Sequence, residues 1–211
     1  MDQFYFKKAS FVKSVADIKD APLDNLKEVL FVGKSNVGKS SLINALTNMK
    51  KLAFTSSNPG HTKLLNYFLI DNIFYLVDCP GYGYSSKRDY DYEFYGKLVE
   101  NYFKDNKKLS LIIFLLDSRH EPTNDDLDFY QFLLSYNYHF VICMTKCDKL
   151  NMSMKSKITK NLKNKFGDAV LNNKIFLCST NDKQSILLLK NYIETCVKEE
   201  NYYGTWKEIW F

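Results

Sequence analysis

Residues 29–46 read Val29-Leu30-Phe31-Val32-Gly33-Lys34-Ser35-Asn36-Val37-Gly38-Lys39-Ser40-Ser41-Leu42-Ile43-Asn44-Ala45-Leu46. An apolar run, consistent with a buried strand, enters a full Gly-x4-Gly-Lys-Ser loop and leaves as a helix start. Such a loop aims successive backbone N–H groups at one point, and the dipole of the following helix adds positive potential there. The pattern therefore predicts a phosphate site spanning Gly33, Lys34, Ser35, Asn36, Val37, Gly38, Lys39 and Ser40. Lys39 would reach the β- and γ-phosphates and the Ser40 hydroxyl would ligate Mg²⁺.

Working outward, apolar runs alternate with helical patterns. Strands are expected at Val29–Gly33, Leu64–Ile70, Ile73–Asp78, Leu109–Leu116, Phe140–Thr145 and Lys174–Cys178. Helices are expected at Lys39–Asn48, Tyr90–Phe103, Asn124–Ser135, Ser153–Phe166 and Gln184–Lys198. Near-continuous apolar strands suit a sheet covered on both faces. Asp71-Asn72 joins the second and third strands as a tight turn, so these two should form an antiparallel hairpin. The expected architecture is α/β: a six-stranded, mostly parallel sheet with one antiparallel hairpin strand and helices on both faces. Ligand loops then lie at the carboxyl ends of the strands. An N-terminal extension packed on the domain (1–28), the domain itself (29–198) and a C-terminal tail (199–211) complete the division.

Two further strand ends carry chemistry. Asp78-Cys79-Pro80-Gly81 closes the third strand; Asp78 can hold Mg²⁺ through water, and Gly81 can bring a backbone N–H to the γ-phosphate. Thr145-Lys146-Cys147-Asp148 closes the fifth. The Asp148 carboxylate matches the guanine N1–H and amino donors, which adenine lacks, while the Lys146 stem would lie along the base. Backbone N–H groups of Cys178-Ser179-Thr180 would meet the guanine O6. In Asn58-Pro59-Gly60-His61-Thr62, Thr62 is the candidate switch threonine that closes on Mg²⁺ in the GTP state, with Lys63 and Leu64 beside it.

Composition sets limits. The 211 residues, 45% of them hydrophobic, suffice for one domain with a sizeable core. No apolar run is long enough for a transmembrane helix, and residues 1–8 lack signal-peptide order, so no membrane association is expected. Five cysteines without framework spacing suggest reduced thiols and a cytoplasmic setting. The net charge of +5 and the helix carrying Lys155, Lys157, Lys160, Lys163 and Lys165 hint at an RNA partner. Two other readings stay open: an ATP-dependent small-molecule kinase on the same loop, and a non-enzymatic RNA-binding module.

These stretches, with Asp78-Cys79-Pro80-Gly81-Tyr82-Gly83-Tyr84, Asp117-Ser118-Arg119-His120-Glu121-Pro122-Thr123 and Thr145-Lys146-Cys147-Asp148-Lys149-Leu150, resemble the EngB (YihA/YsxC) family of ribosome-biogenesis GTP-binding proteins. That family lies within the TrmE-Era-EngA-EngB-septin-like P-loop GTPases. Lys34 stands where the family usually has Arg, Lys63 where it has Gln, and Cys79 where Leu is common. Residues 181–185 lack a glycine often found there.

The resemblance implies a Ras-like P-loop GTPase domain, and a monomer is expected. It implies GTP/GDP binding, slow Mg²⁺-dependent hydrolysis, and a switch role in assembling the large ribosomal subunit, with rRNA and ribosomal proteins as partners. Normal cell division and septation would depend on it. Tyr82 occupies the place where many GTPases have a water-orienting Gln, so slow turnover is expected. Asn36 resembles the potassium-binding Asn of some relatives, whose K⁺ could stand in for an arginine finger; the alternative is that it braces the loop.

Overall fold

The computed structural model describes residues 6–54, 64–83, 89–104 and 106–198. Seven strands form one sheet: β1 (Ala9–Val15), β2 (Lys27–Gly33), β3 (Leu65–Ile70), β4 (Phe74–Asp78), β5 (Leu109–Asp117), β6 (Phe140–Thr145) and β7 (Ile175–Leu177). Their spatial order is β1-β3-β4-β2-β5-β6-β7. β2, β4, β5, β6 and β7 run parallel, and β3 runs antiparallel to both of its neighbours, β4 and β1. The helices are α1 (Lys39–Leu46), α2 (Asp89–Phe103), α3 (Asn124–Ser135), α4 (Met152–Phe166) and α5 (Lys183–Lys198).

Alternation along β2 shows why both faces are covered. Leu30 and Val32 point into a core with Leu98 and Val99 of α2, Phe129 and Leu133 of α3, and Ile158 and Leu162 of α4. Val29 and Phe31 point the other way, among Leu42 and Ile43 of α1 and Leu189 and Ile193 of α5. Each face contributes a hydrophobic term that scales with the apolar area removed from water. The expected hairpin is present, with Asp71 and Asn72 at φ 50° and 60°, the left-handed pair a two-residue turn requires.

The sheet has seven strands where the sequence predicted six. β1 was missed because its side chains do not announce it: of Ala9–Val15 only Val15 is buried. It is held by main-chain pairing to β3, from Ala9 opposite Ile70 to Val15 opposite Leu65, and its lysine and serine positions face outward on a sheet edge. A second unforeseen feature is Glu28, which is only 1% exposed. Its carboxylate accepts hydrogen bonds from Tyr102 Oη at 2.6 Å and Asn106 Nδ2 at 3.2 Å, with Lys108 Nζ at 3.7 Å.

The end of β2 is the point from which the site is built. Gly33 has φ +154°, and a Cβ there would stand 2.7 Å from the Leu115 carbonyl oxygen and 3.0 Å from Val37 Cγ1. Only glycine lets β2 pass this close to β5 and then turn. Gly33→Ala should lower the melting temperature by roughly 5 °C or more, since strain of about 1–3 kcal/mol moves a domain of this size by a few degrees per kcal/mol. Calorimetric melts of both proteins check this; an unchanged melting temperature would contradict it.

Candidate functional site

The phosphate loop runs from Gly33 to Gly38, which sits in the left-handed region at φ 113° as the N-cap of α1. No side chain caps this helix and no acid lies in its first turn. Its backbone N–H groups are therefore left to an anion. The Lys39 ammonium is buried and donates to the carbonyl oxygens of Gly33 at 3.1 Å and Lys34 at 3.4 Å. These bonds fold the lysine back across the loop, with donor capacity remaining for a phosphate. Burial lowers its pKa, and Asp78 opposes that shift.

Beside Lys39, the Ser40 hydroxyl donates to Asp78 Oδ2 at 2.7 Å. Asp78 is 3% exposed, and its Oδ1 is buried without a hydrogen-bond partner among the described residues. Burial raises the pKa of this carboxyl, while Lys39 and the Ser40 hydrogen bond lower it. An orphaned carboxylate oxygen next to a serine hydroxyl is an arrangement suited to a hard cation with oxygen ligands. Thr62, with Gly60, His61 and Lys63, lies outside the described residues; Leu64 enters just ahead of β3.

The β6–α4 loop is tied to the phosphate loop from outside. Thr145 Oγ1 donates to the Val37 carbonyl at 2.7 Å. Lys146, in the left-handed region at φ 59°, sends Nζ to the Asn36 carbonyl at 2.7 Å and to Asp117 Oδ2 at 2.8 Å. Asp117 also binds Arg119 through Nε and Nη2, at 2.9 and 2.7 Å. Burial would raise the Asp117 pKa, but the hydrogen bonds from Arg119 and Lys146 hold it well below the usual carboxylate range. The Asn36 side chain is exposed and makes no hydrogen bond among the described residues; its φ of 61° is a conformation that Asn tolerates well.

Asp148, the expected acceptor for guanine, lies in the short turn after β6. Its Oδ1 accepts from Ser179 Oγ at 2.9 Å, and Oδ2 from Lys149 Nζ at 3.2 Å and Asn181 Nδ2 at 3.4 Å. The Ser179 hydrogen bond, then that of Lys149, lowers its pKa. The loop of Ser179 is joined to β6 and to Cys147 by Cys178 N–H to Met144 O at 2.8 Å and Cys147 N–H to Cys178 O at 3.2 Å. Cys147 and Cys178 are buried, and Thr180 is exposed.

A scan against protein-family models matches residues 28–146 to a 50S ribosome-binding GTPase. The probable GTP-binding protein EngB of Clostridium kluyveri is 50% identical over 157 residues, covering 74% of this chain and 78% of that protein. The chain belongs to the EngB family of GTP-binding proteins. The EngB of Clostridium perfringens strain 13 is 38% identical over 193 residues, covering 92% and 98%. Among solved structures, a probable GTP-binding protein engB superposes with TM-score 0.65 at 22% identity, covering 82% of this chain and 99% of that one. Era in complex with MgGDPNP and a 16S rRNA fragment superposes with TM-score 0.56 at 23% identity, covering 83% and 58%. These superpositions establish the Ras-like P-loop GTPase fold, and membership of EngB makes the chain a GTPase and sets aside the kinase reading.

Within this EngB-family chain, sequence reasoning missed two side chains. Ser179 was expected to act through its backbone, yet its hydroxyl steadies Asp148. Asp117 enters the sequence reading only through the family resemblance, yet it anchors Lys146. Its place at the end of a strand beside the phosphate strand was the available signal. Tyr82 packs inward: it is 8% exposed and stacked on Phe129, with ring centroids 4.9 Å apart. The run Tyr82-Gly83-Tyr84 has no periodicity that would reveal a buried ring. Tyr84 lies outside the described residues.

Asp148→Asn replaces an acceptor pair with an amide, whose donor faces the guanine donors. It should weaken GDP binding by about 100-fold and favour xanthosine nucleotides, which present an acceptor in place of the amino group. Titration calorimetry with GDP and XDP checks this; GDP binding as tight as in the parent would remove Asp148 from the base site.

Proposed function

We propose that this chain is a GTP-driven switch that acts in assembly of the large ribosomal subunit and so supports normal cell division and septation. The observation that carries the nucleotide half is the Ser40 hydroxyl bonded to buried Asp78, whose Oδ1 has no partner among the described residues, set beside Lys39 and an uncapped helix N-terminus. Ser40 would ligate Mg²⁺ directly and Asp78 through water, with Thr62 as the GTP-state ligand. The bound Mg²⁺ would neutralise charge developing on the phosphates.

The chain's own residues do the rest. Lys39 and the N–H groups at the start of α1 hold the phosphates, and Asp148 selects guanine. Lys146 braces the loop that both share. Tyr82 offers no amide to orient an attacking water; hydrolysis without a partner is therefore slow. The exposed Asn36 side chain stands at the loop, where K⁺ would supply positive charge to the transition state.

The ribosomal half is supported by the family's description as 50S ribosome-binding GTPases and by α4. No acidic residue interrupts α4, and Lys155, Lys157, Lys160 and Lys163 are exposed on it, although Lys163 is paired with Asp168 at 2.9 Å. No helix among the described residues is long and apolar enough to cross a membrane. Lysines that meet RNA phosphates add a sequence-independent, salt-sensitive attraction. The protein is proposed to act as a cytoplasmic monomer.

Sedimentation with isolated large subunits should recover at least about five times more protein with a non-hydrolysable GTP analogue than with GDP, and the recovery should fall as salt rises. Equal recovery in the two nucleotide states would sink the switch.

A further inference from the structure

The segment after Asp78 is docked at both ends of one tyrosine. On one side it lies against the phosphate loop: the Ser35 N–H donates to the Tyr82 carbonyl at 3.0 Å, and Lys34 and Tyr82 pair as a short parallel bridge. Gly81 is so close that a Cβ there would meet Ser35 N and Cα at 2.7 Å. On the other side, Tyr82 reaches α3. Its ring stacks on Phe129 with planes 15° apart, and its hydroxyl donates to Asp126 Oδ1 at 2.7 Å.

Asp126 is itself fixed, being 6% exposed. Its Oδ2 accepts from the Thr123 N–H at 2.7 Å and the Thr123 hydroxyl at 2.8 Å in the capping box of α3. Lys34 closes the frame with an ion pair to Asp125 at 3.1 Å. The acceptor of the Tyr82 hydroxyl is thus a buried carboxylate on a rigid helix start, and hydrogen bonds to charged, buried groups are the strong ones.

We propose that Tyr82 is a latch that sets discrimination between GTP and GDP: bound to Asp126 and Phe129, it holds Gly81 against Ser35, and the third phosphate is accommodated only when this docking is released. The proposal rests on the reading that Gly81 faces the γ-phosphate. GDP leaves the docked segment undisturbed, whereas GTP must bind the released state. The population of that state therefore scales the apparent GTP affinity and leaves GDP affinity nearly untouched. The latch also explains why a tyrosine occupies this position: a glutamine could neither fill the space on Phe129 nor reach Asp126 with an aromatic hydroxyl.

Tyr82→Phe tests it, because the ring and its stacking remain while the hydrogen bond is lost. Affinities for GDP and for a non-hydrolysable GTP analogue are measured by equilibrium titration with Mg²⁺. The ratio of the analogue's Kd to that of GDP should fall about five-fold, with GDP affinity within about two-fold of the parent. Gly83→Ala approaches the same docking without touching the hydroxyl. Gly83 has φ +76°, and a Cβ there would stand 2.6 Å from Lys34 Cε. It should shift the ratio in the same direction, and it decides the matter if Tyr82→Phe does not fold. An unchanged ratio, or an equal loss for both nucleotides as a merely structural tyrosine would give, overturns the latch. Failure of the parent protein to bind either nucleotide would instead overturn the underlying site.

Discussion

The Lys146 ammonium, shared between the Asn36 carbonyl at 2.7 Å and Asp117 at 2.8 Å, is the interaction on which the site depends. A phosphate loop is an irregular turn whose N–H groups must converge on a ligand, so its carbonyl oxygens point outward and need donors from elsewhere. Here Lys39 serves the carbonyls of Gly33 and Lys34, Thr145 that of Val37, and Lys146 that of Asn36. Two of these three donors come from the end of β6 and the loop after it, which also carries Asp148. The loops carrying the expected base and phosphate ligands are therefore one hydrogen-bonded unit, and Asp117 at the end of β5 holds the middle of it in register.

A second layer of constraint lies on the opposite side of the phosphate loop. Lys34 and Ser35 meet the segment from Gly81 to Gly83, and both partners are fastened to the first turn of α3 through Asp125 and Asp126. On the proposed reading, base recognition would use the side of the loop whose bonds run to β5 and β6, and the third phosphate the side where the docked segment leaves. Such a division would let guanine binding stay tight while the third phosphate performs conformational work, since a ligand shifts an equilibrium only by its differential affinity for the two states.

Much of this was legible in the sequence because it rests on local pattern. The strand–glycine-loop–helix order, the Asp71-Asn72 turn and the continuous apolar strands each determine their own geometry, and the β2–β7 portion of the sheet followed. β1 was not legible, because an edge strand with one buried side chain is selected by main-chain pairing to β3 rather than by hydrophobic alternation. The roles of Ser179, Asp117 and Tyr82 were hidden for another reason. Each acts on a residue at least 29 positions away, such as Asp117 on Lys146, Ser179 on Asp148 and Tyr82 on Asp126, and such pairings exist only once the strands are in order.

The most direct test of the coupling between base and phosphate recognition is a double-mutant cycle on GDP affinity with Lys146→Ala, Asp117→Asn and the pair together. If Lys146 is held in place by Asp117, losing the lysine should remove most of what the aspartate contributes. The coupling energy should then be about 1 kcal/mol or more, the double variant binding scarcely worse than Lys146→Ala alone. Losses that add to within about 0.3 kcal/mol would show the two residues acting independently and would contradict the account.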